Sequence, residues 1–369
     1  MTANASRREI LAGLAATTVL SAPSIGRAAD DADWQAGAPA QWGRTLKAAQ
    51  AEGSVTVAAF AVLAEKMGAA FKRDTGIDAN FLGGKTAEQQ ARFDAEVRAK
   101  NLTIDIVMGG PELGSLMHDG FLEPVAPQLV LPGVGPSHFR EGKLLWLDDA
   151  QRYNLQGAEY VFGWLLVNKD LVDPAELKSW KSLLDPKYRG RITAYDLRGP
   201  GPGQGAADWI YKNFGLDYIK ELFLGQQVKY TTDNRGLVEG VVRGTIPIAF
   251  GAIQSEVERF KKAGFTNMAV VLPDDGPGYL SSGFSVLHQG VGLPHPNAAA
   301  VFTNWYVSRP GQEVYETVML ETSRRIDVHT GIPDYLVPRP GVKYWAAVEH
   351  DYVTRNDVVQ LITTALGNR

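Results

Sequence analysis

The sequence contains no cysteine among its 369 residues. A chain without thiols cannot form disulfides, cysteine-ligated zinc sites, iron–sulfur clusters or a cysteine nucleophile. A surplus of positive charge is also missing, because 37 Lys and Arg stand against 41 Asp and Glu and leave a net charge of −4. Proteins that bind nucleic acid neutralise phosphates with basic side chains, so nucleic acid is not an expected partner.

The signatures of common enzyme classes are absent as well. The six histidines show none of the short spacings typical of zinc sites, and there is no Gly-x-Ser-x-Gly or Ser-x-x-Lys motif. The glycine-rich segment 199–205 lacks the Gly-Lys-Ser/Thr ending of a phosphate-binding loop. No Gly-x-Gly-x-x-Gly follows the first predicted strand. We therefore predict that the protein is not an enzyme and carries no metal or cofactor.

Residues 1–28 have the features of a twin-arginine export signal. Arg7 and Arg8 precede an apolar run over residues 11–20, and Gly26-Arg27-Ala28 resembles a cleavage site. The apolar run is only half of the ~20 residues that a membrane-spanning helix needs. We expect export to the periplasm, with a soluble mature chain. Because many cargoes of this route are redox enzymes, an exported enzyme stays open as an alternative at this point.

Short apolar runs alternate with amphipathic helical stretches in the rest of the chain. Three strand–loop–helix units in succession predict a parallel, doubly wound α/β sheet. Their strands are predicted at residues 54–60, 77–82 and 104–108. A second pattern of the same kind follows, with strands predicted at residues 191–195, 228–232, 246–250 and 268–272.

The two patterns are separated by a segment of different composition. Residues 124–136 are rich in Pro and Gly, and residues 158–168 are apolar on both faces, as expected for one buried strand. A return strand is predicted over residues 279–288. We predict two doubly wound lobes joined by hinge strands. The first lobe comprises residues 29–158 and 278–330, and the second comprises residues 159–277 and 331–369.

Ligands of open α/β sheets bind beyond the carboxyl ends of the strands, where helix N-termini present backbone N–H groups. In this chain the loops at those ends are rich in glycine and hydrogen-bonding side chains. Because Lys85 and Arg198 follow strands in opposite lobes, we expect an anionic ligand between the lobes. The candidate ligand-binding residues are Phe60, Gly84, Lys85, Thr86, Gly110, Tyr160, Arg198, Gly199, Gly251, Gln254, Ser255, Tyr279 and Ser282.

Several segments, in order along most of the chain, carry a family resemblance. They are residues 46–55, 71–77, 105–107, 166–172, 179–192 and 305–312. The most specific is Leu183-Leu-Asp-Pro-Lys-Tyr-Arg-Gly-Arg-Ile192. Together they resemble the periplasmic solute-binding proteins of ABC importers, in the type II two-lobe group that includes ferric-ion binders. The resemblance implies a monomer that closes around a small solute and delivers it to a membrane permease.

The resemblance leaves two kinds of solute open. Ferric binders of this group carry a Tyr-Tyr pair after the strand that corresponds to residues 246–250, whereas residues 251–256 here contain no tyrosine. Gln254 and Ser255 at this place suit hydrogen bonds to an organic or phosphorylated group. The expected ligand is therefore a small organic or phosphorylated anion, with ferric iron as the alternative.

Overall fold

The computed structural model describes residues 34–84, 86–199, 201–329 and 331–367, without the side chains of residues 86 and 87. The predicted export signal at residues 1–28 and the candidate Lys85 therefore lie outside the described residues. In the described part of the chain, no helix combines the length and the apolar character needed to cross a bilayer.

The secondary structure alternates between helices and strands. In the described ranges the α-helices are α1 (Ala40–Glu52), α2 (Leu63–Thr75), α3 (Thr86–Arg98), α4 (Pro202–Lys220), α5 (Asn234–Val242), α6 (Gln254–Lys262), α7 (Pro296–Val307), α8 (Arg309–Met319), α9 (Glu349–Val353) and α10 (Arg355–Leu366). The strands are β1 (Ser54–Ala59), β2 (Asp78–Gly83), β3 (Ile106–Gly109), β4 (Leu145–Trp146), β5 (Leu155–Gln156), β6 (Ala158–Phe162), β7 (Leu165–Asn168), β8 (Ile192–Tyr195), β9 (Lys229–Thr231), β10 (Ile248–Phe250), β11 (Met268–Val271), β12 (Tyr279–Ser281), β13 (Val286–His288), β14 (Thr322–Ser323) and β15 (Trp345–Ala346).

Two mixed sheets form the centres of the two lobes. The first has the order β2-β1-β3-β13-β5-β4, and β1 is parallel to both β2 and β3. The second has the order β11-β7-β10-β8-β9, and β10, β8 and β9 are parallel. The α/β fold with two lobes is confirmed. The sheets are not wholly parallel, however, because β13, β5 and β4 in the first and β7 and β11 in the second run antiparallel to their neighbours.

The prediction of one buried strand over residues 158–168 is wrong. The chain turns at Gly163, whose φ of +87° is readily adopted only by glycine, so β6 and β7 belong to different sheets. A Cβ at this position would also lie 3.2 Å from the Tyr279 ring. The predicted return strand over residues 279–288 is likewise divided, into β12 and β13.

A third sheet, in the order β14-β6-β12-β15, connects the lobes. Strand β6 begins at Ala158, in the hydrophobic core of the first lobe, and ends at Phe162, in the core of the second. Strand β12 pairs antiparallel with β6 and places Ser281 opposite Tyr160. Because side chains alternate along a strand, Tyr160, Phe162, Tyr279 and Ser281 share one face, named here the front face. Glu159, Val161 and Leu280 share the opposite, rear face.

Each lobe has its own aromatic core. In the first lobe Phe71 contacts Phe302 and Trp305 edge to face, with ring centroids 5.1 and 5.3 Å apart. In the second lobe Trp180 contacts Trp209 and Phe250 in the same way, at 5.0 and 5.1 Å. These packed cores allow each lobe to act as a rigid support for the loops at its strand ends.

Candidate functional site

Two helices of the second lobe start at the carboxyl ends of neighbouring parallel strands. Helix α4 follows β8 and helix α6 follows β10, and neither Gly201 nor Ile253 supplies a side-chain cap at its N-terminus. Helix α5 differs, because the Asp233 side chain accepts a hydrogen bond from the Gly236 N–H. First-turn N–H groups have no partner inside their own helix, and together with the helix dipole they attract anions.

The carboxyl ends of β1, β2 and β3 lie side by side in the first lobe and carry Phe60, Gly84 and Gly110. The Phe60 ring stacks on Phe284, with centroids 4.9 Å apart and an interplanar angle of 17°. Gly110 is buried, its carbonyl lies 3.1 Å from His288 Nε2, and a Cβ there would overlap the Glu112 carboxylate. These residues line the strand ends that face a ligand in this class of sheet.

The front face of the connecting sheet carries two of the predicted residues, Tyr160 and Tyr279, and a third, Gln254, lies beside Tyr160. Tyr160 is buried, and the nearby Ser281 and Gln254 side chains oppose the rise that burial causes in its pKa. Tyr279 is buried beside the first turn of α4, where a Cβ on Gly205 would lie 2.8 Å from its hydroxyl. Burial raises the pKa of both phenols, and the nearby Tyr160 raises the pKa of Tyr279 further. Both therefore remain neutral hydroxyl groups.

Gln254 and Ser255 occupy the first turn of α6. The Gln254 Nε2 donates to the Met319 carbonyl at 3.4 Å. Its Oε1 is buried and has no hydrogen-bond partner among the described residues. Ser255 is exposed at the same helix end. This turn therefore offers backbone donors, an amide acceptor and a hydroxyl within one short segment.

Arg198 has a different environment from the one predicted. Its Nε and Nη2 donate to the Asp196 carboxylate at 2.9 and 3.2 Å, and its guanidinium lies 4.4 Å from the centre of the Tyr230 ring. Its Nη1 also donates to the Gly367 carbonyl at 2.9 Å. The side chain is only 7% exposed, and its charge is balanced by Asp196. An anionic ligand between the lobes would therefore be held by donors other than the Arg198 guanidinium.

The remaining candidate glycines and Ser282 shape the chain. Gly251 has a φ of +80°, and a Cβ there would lie 2.8 Å from the Tyr195 Cβ, which requires glycine. Gly199 is buried in the loop before α4. The Ser282 carbonyl accepts hydrogen bonds from the Ser285 N–H and Oγ at 3.0 and 2.7 Å. Thr86 starts α3, with its side chain outside the described part.

Sequence analysis missed an ion-pair cluster between the lobes. Arg355 of α10 donates to Asp208 of α4 at 2.8 Å and lies 3.4 Å from the Glu112 carboxylate of the first lobe. Gln90 donates to the other Glu112 oxygen at 3.0 Å. Burial raises the pKa of Asp208, and Arg355 opposes that rise. The cluster joins residues 147 and 243 positions apart, so no local pattern in the sequence could indicate it.

A buried carboxyl group supports the loop that carries Phe284. Glu321 is fully buried, accepts the Phe284 N–H at 3.2 Å and accepts the Tyr315 hydroxyl at 2.6 Å. Burial raises its pKa to about 8, so the group is mostly protonated at neutral pH, while the two hydrogen bonds oppose the rise. The neutral Glu321 side chain therefore supports the loop in which Phe284 stacks on Phe60.

Within the described ranges, no group of three or more His, Asp or Glu side chains is placed to hold a metal ion. The polar groups that do converge at the strand ends are backbone N–H groups, an amide and neutral hydroxyls.

Comparison with known proteins identifies a matching family model and a relative that shares part of the sequence. A family model described as bacterial extracellular solute-binding protein matches residues 66–319. Iron uptake protein A1 from Synechocystis is 27% identical over 124 residues, which cover 34% of this chain and only 32% of that protein.

Solved structures resemble the chain over a larger part of its length. AfuA from Actinobacillus pleuropneumoniae, with fructose 6-phosphate bound, has a TM-score of 0.68 at 18% identity and covers 85% of this chain and 98% of its own. Iron-bound HitA from Pseudomonas aeruginosa has a TM-score of 0.65 at 18% identity, with 85% and 99% covered. At this identity the likeness establishes the shared fold, that of two-lobe periplasmic binding proteins.

Proposed function

Since the chain belongs to the family of bacterial extracellular solute-binding proteins, we propose that it is the periplasmic substrate-binding component of an ABC uptake transporter. Its ligand is a small organic or phosphorylated anion, held between the lobes. Members of this family and the structural neighbours are substrate-binding proteins rather than enzymes. In this proposal the protein acts as a monomer, reaches the periplasm through the twin-arginine signal and transfers the solute to a membrane permease.

The observation that carries the ligand class is the pair of helix N-termini without side-chain caps, at α4 and α6. They start from adjacent strands, so their N–H groups and dipoles act on the same region and favour a negative charge there. The Gln254 Oε1 without a partner and the neutral Tyr160 and Tyr279 hydroxyls suit the hydroxyl groups of an organic molecule.

Ligand capture requires the lobes to move relative to each other. Strands β6 and β12 pair with each other in the sheet that connects the lobes, and we assign the hinge to them. A ligand that contacts both lobes binds the closed form more tightly and shifts the population toward it. The divisions at residues 158–159, 277–278 and 330–331 remain our proposal for the lobe boundaries.

Ferric iron is the second candidate ligand. It is supported by the likeness to Iron uptake protein A1 and to the iron-bound HitA structure. Iron(III) prefers anionic oxygen ligands such as phenolates, and residues 251–256, after β10, contain no tyrosine. The organic anion is therefore the preferred assignment.

The substitution Ser255→Asp separates the two candidates. A carboxylate in the first turn of α6 interacts favourably with the helix dipole, so the folded protein should be as stable as before or slightly more stable. The same charge repels an anion in the cleft, and we expect about tenfold or weaker affinity, which corresponds to roughly 1.4 kcal/mol. Isothermal titration calorimetry with fructose 6-phosphate, inorganic phosphate and ferric citrate measures this.

Ser255→Asn is the matched control, because it has nearly the same volume as Asp without the charge. It should bind the anion close to the wild-type affinity. If Ser255→Asp binds the anion as tightly as Ser255→Asn, the α6 terminus is not the anion site. If instead ferric iron binds the wild type and binds Ser255→Asp more tightly, the iron assignment replaces ours.

A further inference from the structure

A cavity of about 650 Å³ lies on the rear face of the connecting sheet. Its floor includes Glu159 of β6, Leu280 of β12 and Thr322 of β14, which pairs with Glu159. These side chains point away from Tyr160 and Tyr279, so the cavity is separate from the front-face site. Its volume falls within the range typical of small-molecule binding sites.

Arg324 lines this cavity, and two of its three side-chain nitrogens lack a hydrogen-bond partner among the described residues. Its Nη1 donates to Glu159 at 2.7 Å, and its side chain is 6% exposed. Its Nε and Nη2 are buried and have no hydrogen-bond partner among the described residues. In the next residue, Arg325, the same two nitrogens bind the Asp327 carboxylate, each at 2.8 Å. The edge of Arg324 that lacks partners is therefore the edge with which Arg325 binds a carboxylate through two parallel hydrogen bonds.

The acids that line the cavity already have hydrogen-bond or ion-pair partners. Glu159 is shared between Arg324 and Arg140, the second at 3.2 Å. Glu141 pairs with Lys143 at 2.8 Å, and Glu316 accepts a backbone N–H at 2.7 Å. Buried guanidinium donors without acceptors cost free energy, which an incoming anion recovers.

The rest of the cavity wall is apolar. The apolar lining residues are Leu280, Val328, Ile332, Val337, Pro338 and Val342. A bare inorganic anion would gain nothing from this surface, whereas an organic acid would bury its hydrocarbon body against it. The combination of an open guanidinium edge and apolar walls therefore favours an organic carboxylate.

We propose that this rear cavity is a second ligand site, which binds a small organic carboxylate through Arg324. The carboxylate accepts two hydrogen bonds from Nε and Nη2, and Glu159 holds the guanidinium through Nη1. Both nitrogens are shielded from water in the ligand-free structure, so the proposal includes a turn of the guanidinium toward the cavity when the carboxylate binds. Hydrogen bonds between charged groups are strong in such a desolvated place.

Isothermal titration calorimetry of the whole chain with benzoate tests the proposal. Arg324→Lys keeps the positive charge beside Glu159 but cannot form the bidentate hydrogen bonds of a guanidinium. We therefore expect benzoate affinity to fall about tenfold or more. Val342→Trp fills the partly buried rim without touching the ion pairs, and it should weaken benzoate as well. Arg243→Lys is the matched control, because Arg243 is an exposed residue that pairs with Glu239, and it should bind like the wild type.

Four results would overturn the proposal. The first is wild-type protein that shows no saturable heat with millimolar benzoate, and the second is Arg324→Lys protein that binds as tightly as Arg243→Lys protein. Loss of benzoate binding in Ser255→Asp would be the third, because it would place benzoate in the front-face cleft. Inorganic phosphate that binds as tightly as benzoate would refute the organic carboxylate as the ligand class.

Discussion

Arg355→Met is expected to lower the free energy of unfolding by about 3–5 kcal/mol, the loss typical when one partner of a buried ion pair is removed. Arg355 is 7% exposed and Asp208 is 1% exposed, so the remaining carboxylate would be left in a poorly solvated place without its cation. The Oδ1 atom of Asp208 already has no partner among the described residues, which adds to the free-energy cost of burying the carboxylate. Urea denaturation of the ligand-free protein measures the loss.

The double variant Arg355→Met, Asp208→Asn is the control for this interpretation. Removing both charges should recover most of the lost stability, because burying a neutral amide costs less than burying an unpaired carboxylate. Glu112→Gln should have a smaller effect than Arg355→Met, since the Glu112 side chain is 34% exposed. A loss below about 1 kcal/mol for Arg355→Met would contradict a buried, mutually dependent pair.

Gly203→Ala is expected to lower the free energy of unfolding by about 1–3 kcal/mol. Gly203 lies in the first turn of α4, where an added Cβ would overlap the Asp196 carbonyl oxygen. Backbone cannot move aside as the end of a flexible side chain can, so the start of α4 must shift. Because that turn forms part of the proposed anion site, affinity for the cleft ligand should fall as well.

Gly43→Ala provides the matched control, since it is the same substitution inside another helix. Gly43 lies in α1, and an added Cβ would have no atom within 4 Å. This variant should gain up to ~1 kcal/mol, because alanine favours the helix over glycine. Thermal or urea unfolding of both variants checks the pair. If Gly203→Ala is as stable as Gly43→Ala, the close contact between α4 and Asp196 is not present.

The parts of the fold that depend on local patterns could be predicted from the sequence. The strand–helix repeats were recognisable because apolar spacing, helix-ending glycines and loop composition are properties of neighbouring residues. The run over residues 158–168 was not recognisable as two strands. A strand with both faces buried looks the same whether it is continuous or divided at Gly163, and the division depends on pairing with the distant β12.

The site was predictable to a similar extent. Gln254 was assigned from its place after a predicted strand, and Tyr160 and Tyr279 from their places in the predicted hinge and return strands. The structure brings these residues near one another. Arg198 was assigned by the same reasoning, but its partner Asp196 is two residues away in sequence. A cation at a strand end can bind a ligand or a neighbouring acid, and the pattern does not distinguish these. Arg355 lies at the start of a C-terminal helix and is brought to the cleft only by tertiary packing.

Native mass spectrometry of the chain purified gently from the periplasm, with elemental analysis of the same sample, tests the central claim most directly. That claim is capture of a small organic or phosphorylated anion between the lobes. We predict an added organic mass of a few hundred daltons, no stoichiometric metal, and loss of the added mass in Ser255→Asp but not in Ser255→Asn. Stoichiometric iron without an organic mass would contradict the claim and assign the cleft to ferric ion.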